Sequence, residues 1–256
     1  MAVPVPSAST TRVSVCMATY NGARFLRPQV ESILAQLRPD DEIVVVDDAS
    51  RDDTVAVLES FRDDRLRIIR NDRNVGYVRT FEHALSLATG DVLLLSDQDD
   101  VWTDGRRDAL VAAAGETGFA AGDLVLLGDD APLRSPLTGR PWRLAPLPGH
   151  GSLRNELRLL AGDAPYYGCA MAIRRDDALD LVLPFPAYLT ESHDLWIATM
   201  ANTGRMMTHV HMPVLRRRLH EDNASAPRPR GVIPALRSRL LLLRLWREAR
   251  RRLRSR

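Results

Sequence analysis

The sequence predicts an α/β fold in which a doubly wound, mostly parallel sheet is followed by a C-terminal helical extension. Three observations carry this prediction. Short apolar strands alternate with helical segments through the first hundred residues. These strands are nearly continuous apolar runs, as expected for a sheet covered on both faces. A polar loop follows each strand, at the edge where such sheets bind ligands.

In the first half of the chain the spacing of apolar residues alternates between strand-like and helix-like, and this alternation predicts each element. Strands are predicted at residues 13–17, 42–46, 66–69 and 91–95, and helices at 24–37, 54–61 and 77–88. Thr89 and Gly90 end the third helix.

The second half is less regular. It is predicted to hold a helix at 104–114, a strand at 124–127, a long loop at 129–150, a strand at 166–173, a helix at 191–202 and one or two short strands within 206–215. A polar linker at 221–233 then leads to a basic helix at 234–256.

Composition restricts the class of protein. A chain of 256 residues can bury one substantial core. Residues 1–11 are rich in Pro, Ser and Thr, and they predict a flexible lead-in without the features of a signal peptide. Cys16 and Cys169 lie in apolar runs and are predicted to be buried thiols, which fits a cytoplasmic protein. No apolar run approaches the length of about 20 residues that spans a bilayer.

The segment Ser96–Trp102 is the most informative part of the chain. It places three carboxylates within four positions directly after an apolar strand. Such groups repel one another unless a cation compensates them, and a divalent ion bound to a diphosphate would do so. An isolated motif of this kind is more often a solvated turn. A second acidic loop, Asp47–Asp48, is predicted at the same sheet edge, which favours a site.

Five segments resemble, in order and spacing, the motifs of one family: Ala18–Gly22, Asp47–Thr54, Ser96–Trp102, Gly168–Met171 and His193–Trp196. On these segments the chain resembles the family-2 glycosyltransferases of the GT-A fold, a Rossmann-like architecture, and within them the rhamnosyltransferase-like branch. The resemblance implies a catalytic domain at 12–220, with a nucleotide-binding half at about 12–102 and an acceptor half at about 103–220.

The resemblance also implies how the donor is bound. Thr19, Tyr20 and Asn21 would line the base and ribose pocket, and Asp48 would accept hydrogen bonds from the base. Three further residues would approach the ribose or diphosphate: Asn74, Gly76 and Arg79. Asp97 would contact the ribose or a metal-bound water.

The same resemblance assigns the metal and the base. Asp99 would coordinate Mg²⁺ or Mn²⁺, with Asp100 as an alternative ligand. His220 resembles a histidine that reaches the metal or diphosphate in some relatives, although Leu215 stands where an aromatic residue is expected. The alternative is a solvent-exposed loop histidine. Asp194 would be the general base. Local sequence alone favours a helix-capping role for Asp194, and only the family pattern favours the base; Glu191 is the rival carboxylate.

The implied reaction is metal-dependent transfer of a sugar with inversion, for example L-rhamnose from dTDP-rhamnose. The acceptor would be a bacterial cell-surface polysaccharide or a lipid-linked glycan. Three alternatives are a UDP-hexose donor, a non-catalytic scaffold of the same fold and an NAD-dependent oxidoreductase. The last requires a G-x-G-x-x-G loop where this chain has Thr19–Arg24.

The C-terminal segment allows two interpretations. Residues 227–256 carry eleven arginines and one glutamate, together with a leucine-rich stretch. The leucines either dock on the catalytic domain or a partner, or lie at an anionic membrane surface, on the inner face of the plasma membrane. No motif for reading nucleic acid accompanies the arginines.

Overall fold

The computed structural model describes residues 11–144, 153–220 and 232–255, which form one eight-stranded sheet with helices on both faces. The strands are β1 Val13–Thr19, β2 Glu42–Asp47, β3 Leu66–Arg70, β4 Val92–Ser96, β5 Val101–Trp102, β6 Phe119–Leu126, β7 Met171–Arg174 and β8 Met207–Arg217. The helices are α1 Ala23–Leu34, α2 Thr54–Glu59, α3 Tyr77–Leu87, α4 Arg106–Thr117, α5 Leu153–Ala161, α6 Asp177–Val182, α7 His193–Thr203 and α8 Val232–Arg254.

The strand order is β3-β2-β1-β4-β7-β6-β8-β5. The first four strands in the chain are mutually parallel, so the loops that follow them meet at one edge. β6 and β8 are also parallel, whereas β7 and β5 run antiparallel to their neighbours. The predicted mostly parallel α/β sheet is therefore confirmed.

The sheet separates two apolar cores because successive side chains of a strand point to opposite faces. Cys16 and Leu93 pack on the face covered by α3 and α7, while Met17 and Leu94 pack on the face covered by α1 and α4. Both cysteines are buried free thiols, as predicted.

The second half differs most from the prediction. β6 begins at Phe119, five residues before the predicted strand, because Gly122 and its alanine neighbours give a weak strand signal. Gly122 is needed there, since a β-carbon would overlap Val214. The predicted strand at 166–173 is instead a 3₁₀ turn, Gly168–Ala170, followed by β7. β8 is a single strand that passes Pro213 at a break in its register with β6.

The C-terminal helix α8 docks on the rest of the fold, mainly on α7, and docking was one of its two predicted interpretations. Leu242, Leu245 and Ala249 are buried. Arg252 donates to the carbonyls of Leu181 at 2.9 Å and Pro184 at 2.7 Å. No described helix is long and apolar enough to cross a membrane. The predicted flexible terminus (except Thr11), most of the predicted linker and the end of the 129–150 loop lie outside the described residues.

Candidate active site

A cleft of about 730 Å³ opens at the edge where β1, β2 and β4 end. The beginning of α7 and the end of β8 also line it. Ten of the twelve predicted site residues line it: Thr19, Tyr20, Asn21, Asp48, Asn74, Gly76, Asp97, Asp99, Asp194 and His220. Asp100 lies beneath the cleft, and Arg79 lies outside it.

The loop after β2 fixes the loop after β3. Asp48 Oδ1 accepts hydrogen bonds from the Val75 N–H and the Asn71 side chain, both at 2.9 Å. Asp48 Oδ2 accepts from the Gly76 N–H at 2.9 Å, and Gly76 has a φ of 87° that suits glycine. A carboxylate has about four acceptor sites, so Asp48 still presents one to the cleft.

Gln98 ties the loop after β1 to the acidic loop after β4. The Tyr20 N–H donates to Gln98 Oε1 at 2.9 Å, and Gln98 Nε2 donates to the Tyr20 carbonyl at 3.2 Å. The amide of Gln98 lies so close to Gly22 that a β-carbon there would overlap it. Sequence analysis did not single out Gln98, because a glutamine between aspartates carries no signal of a backbone partner.

The acidic loop is strained electrostatically. Burial, together with the charges of Asp99 and Asp100, raises the pKa of Asp97 to about 8. Burial and Asp99 raise the pKa of Asp100 to about 6. The fully buried Arg106 lies nearby and donates to the carbonyls of Leu95 at 2.9 Å and Cys169 at 2.6 Å.

Two groups of side chains in this region offer metal ligands. Asp97, Asp100 and Cys169 place one ligand atom each within 4.8 Å of one another, although Arg106 already supplies positive charge to them. Asp99 and His220 form the second group, with Asp99 Oδ2 and His220 Nε2 2.7 Å apart. The second group faces the open cleft, where a diphosphate has access.

The C-terminal end of β8 brings His220 to the acidic loop. The backbone N–H of Arg218 donates to Asp100 Oδ1 at 3.0 Å, and Arg218 Nε donates to the Asp99 carbonyl at 3.0 Å. The imidazole of His220 stacks on Phe25 with ring centroids 4.4 Å apart. Carboxylate oxygen suits both Mg²⁺ and Mn²⁺, whereas imidazole nitrogen is a ligand of transition metals, so the residues fit a divalent ion and fit Mn²⁺ better than Mg²⁺. A buried oxygen, Asp100 Oδ2, also has no partner among the described residues.

The first turn of α7 supplies a further carboxylate to the cleft. Asp194 lies in that turn, and its Oδ1 accepts from the Leu195 N–H at 2.8 Å. Glu191 lines the same cleft. His193 is buried between them and stacks on Phe81 at 4.3 Å, and burial lowers its pKa to about 3. His193 is therefore neutral, and neither ring nitrogen has a hydrogen-bond partner among the described residues.

Arg79 does not reach the cleft, which corrects the expectation that it approaches the donor. Its guanidinium donates to the carbonyls of Pro186 at 2.9 Å and Leu189 at 3.2 Å. It also pairs with Glu82 at 2.5 Å. The cationic side chain that does line the cleft is Arg217, whose guanidinium lies 4.4 Å from the centre of the Tyr167 ring.

Comparison with known proteins identifies the family. The model of glycosyl transferase family 2 matches residues 14–182. No curated protein matches the chain. The fold is similar to that of S. aureus TarS 1–349 in complex with UDP-GlcNAc, with a TM-score of 0.67, 19% identity, and coverage of 91% of this chain and 66% of that one.

A second similar structure is the mannosyltransferase PcManGT from Pyrobaculum calidifontis in complex with GDP-Man and Mn²⁺. Its TM-score is 0.58 at 20% identity, with coverage of 96% of this chain and 74% of that one. The chain spans less than two thirds of the TarS structures that it matches, from 37% to 66% of their length. At these identities the similarity concerns the fold.

Proposed function

The chain belongs to glycosyl transferase family 2, and on that premise we propose that it transfers a sugar from a nucleotide donor to a hydroxyl group with inversion. One observation carries the proposal. The Asp99–His220 pair and the carboxylate of Asp194, separated along the chain, line the same cleft. Residues 12–102 would form the nucleotide-binding half and residues 103–220 the acceptor half.

The donor would bind along the loops at the sheet edge. Thr19, Tyr20 and Asn21 would surround the base and ribose. The free acceptor site of Asp48 would receive a donor group of the base. Asn74 and Gly76 would border the ribose or diphosphate, and Asp97 would lie near the ribose hydroxyls.

Asp99 and His220 would hold Mg²⁺ or Mn²⁺, with Asp100 as the buried alternative. A divalent ion at this position would neutralise the charge that develops on the departing diphosphate. The 2.7 Å contact between the two side chains supports this assignment, because they already converge on one point. Arg217 would add a second positive charge on the same side.

Asp194 would take the proton from the acceptor hydroxyl as that oxygen attacks the anomeric carbon. A base across the cleft from the leaving group permits direct displacement, which inverts the anomeric centre. Asp194 accepts from the Leu195 N–H through Oδ1, and a carboxylate has about four acceptor sites in all. Its place in the first turn of α7 also favours the ionised carboxylate.

The donor sugar follows from the branch resemblance, and we propose dTDP-L-rhamnose, with a UDP-hexose as the second candidate. The acceptor would be a polysaccharide or a lipid-linked glycan. The enzyme would then work in the cytoplasm, at the inner face of the plasma membrane.

Release of nucleoside diphosphate from dTDP-rhamnose, UDP-GlcNAc and GDP-mannose, with a lipid-linked saccharide extract as acceptor, tests the assignment. Wild type should turn over one donor with Mn²⁺ present. Asp194→Asn should lower kcat by about a hundredfold or more while it still binds the donor. Glu191→Gln is the matched control and should retain activity. The opposite pattern would make Glu191 the base, and folded protein without any turnover would favour the scaffold.

A further inference from the structure

The exposed side of α8 carries a continuous stripe of arginine and leucine side chains. The arginine–leucine stripe consists of exposed residues at helical spacing: Arg237, Leu240, Leu243, Arg244, Arg247, Arg250, Arg251 and Arg254. It extends for about 25 Å along the helix. The opposite side of α8 is the one that docks, through Leu242, Leu245 and Ala249. The stripe is therefore not explained by the packing of the helix.

The two leucines are the unusual members of this stripe. Leu240 is 62% exposed and Leu243 is 41% exposed, although buried positions for leucine exist on the same helix. An apolar side chain among cations adds nothing to binding of the phosphate backbone of a nucleic acid. It does add binding free energy at a bilayer surface, where polar headgroups adjoin hydrocarbon.

The arginines are available for anions. Among the described residues, Arg237, Arg247 and Arg254 have no hydrogen-bond or ion-pair partner. Arg244 and Arg250 lie over the rings of Tyr188 and Trp246, at 4.1 and 3.6 Å, and only Arg251 pairs with a carboxylate, that of Glu248. This surface is strongly positive and complements an anionic one.

We propose that the arginine–leucine stripe binds the chain to an anionic lipid bilayer. The arginines would contact lipid phosphates, and Leu240 and Leu243 would enter the boundary between headgroups and acyl chains. The proposed function enters only as the reason for membrane binding, because binding would keep the cleft close to a lipid-linked acceptor. A nucleic acid accounts for the arginines but not for the leucines, and Arg250 already covers one face of the Trp246 ring at 3.6 Å, the kind of face on which a base would stack.

Flotation of the full chain with vesicles tests the proposal. Vesicles of phosphatidylglycerol and phosphatidylcholine in equal amounts should carry the protein upward, and pure phosphatidylcholine vesicles should not. Arg247→Ala/Arg254→Ala should weaken binding about thirtyfold, since each arginine near such a surface contributes about fivefold. Arg62→Ala/Arg140→Ala removes the same charge from exposed positions elsewhere and should bind as wild type does. Leu240→Ser/Leu243→Ser should weaken binding about tenfold or more.

Three results would overturn the proposal. They are no flotation of wild type with anionic vesicles, equal loss in the two arginine variants, and unchanged binding after both leucines are replaced. Tighter binding to a short duplex DNA than to the anionic vesicles would identify a nucleic-acid surface instead. Calorimetry with nucleotide sugars on the same preparations tests the proposed transferase function separately. Donor binding does not depend on the stripe, so it should persist even where binding to vesicles fails.

Discussion

The contact between Gln98 and the loop after β1 allows a quantitative test of how the cleft is held in shape. Gln98→Ala removes two hydrogen bonds to the backbone of Tyr20. Each is worth about 0.5 to 1.5 kcal/mol net, so the loop loses about 1 to 3 kcal/mol of its preference for the bound shape. If that shape is required for binding, affinity for a nucleoside diphosphate should fall by about fivefold to about 150-fold.

Gly22→Ala should have the same effect by a different route. The new methyl group would overlap the amide of Gln98, while the φ of −106° at Gly22 suits alanine as well as glycine. The substitution therefore displaces Gln98 and removes the same two hydrogen bonds. In Gly22→Ala/Gln98→Ala no amide remains to be displaced, so the double variant should bind no worse than Gln98→Ala.

Calorimetric titration with UDP, GDP and dTDP in the presence of Mn²⁺ measures this cycle, with thermal unfolding as the check on folding. Gln36→Ala is the matched control, because Gln36 also bridges two segments, through a 2.9 Å bond to the Thr103 carbonyl, but lies outside the cleft. It should leave nucleotide affinity unchanged. Additive losses in the double variant would refute the reasoning, since they would mean that Gly22 and Gln98 act independently.

Four further predictions concern stability and the corrected site. Arg107→Ala should lower the free energy of unfolding by about 3 to 5 kcal/mol, because it leaves the buried carboxylate of Asp41 without its cationic partner. Asp41 accepts hydrogen bonds from Arg107 at 2.7 and 2.9 Å. A loss below about 1 kcal/mol in chemical denaturation would contradict this prediction. Although burial raises it, hydrogen bonds from Arg107 and from the Arg38 and Val13 N–H groups bring the pKa of Asp41 below its ordinary value. Its contribution is therefore present above the unfolded pKa of about 3.9 and lost as the pH falls through the lower folded value, so the stability of Asp41→Asn should depend less on pH below about 4. His193→Phe should raise the free energy of unfolding by about 1 kcal/mol, because it removes a buried imidazole without a partner; a lower melting temperature would show that the ring nitrogens are satisfied. Arg79→Ala should lower the melting temperature yet keep nucleotide affinity, and a loss of affinity at unchanged stability would restore its predicted role at the donor.

The first half of the fold was predictable because its strands and helices differ in period and its strands are rich in β-branched and leucine residues. Val44–Val46 and Leu93–Leu95 leave no doubt about buried strands, and their order along the chain fixes a parallel sheet. The second half was harder. Phe119–Leu126 contains Ala120, Ala121 and Gly122, whose weak strand preference is overridden by packing against β8.

The site residues also divide into those that the sequence predicts and those that it does not. Carboxylates at strand ends are visible in sequence, and the parallel topology brings them together. Gln98 was missed because its partner is the backbone of Tyr20, which lies far from it along the chain. Arg79 was misplaced because a motif fixes its position on α3 but not the direction of its long side chain, which the Pro186 and Leu189 carbonyls attract away from the cleft.

The central claim is that the cleft is a metal-dependent nucleotide-sugar site built on Asp99 and His220. The most direct measurement is calorimetric titration of wild type and Asp99→Ala with dTDP-rhamnose, UDP-GlcNAc and GDP-mannose, each with and without Mn²⁺. One donor should bind wild type only with metal, and Asp99→Ala should abolish this binding. Folded wild-type protein that binds none of the donors with metal present, or binding that survives Asp99→Ala unchanged, would contradict it.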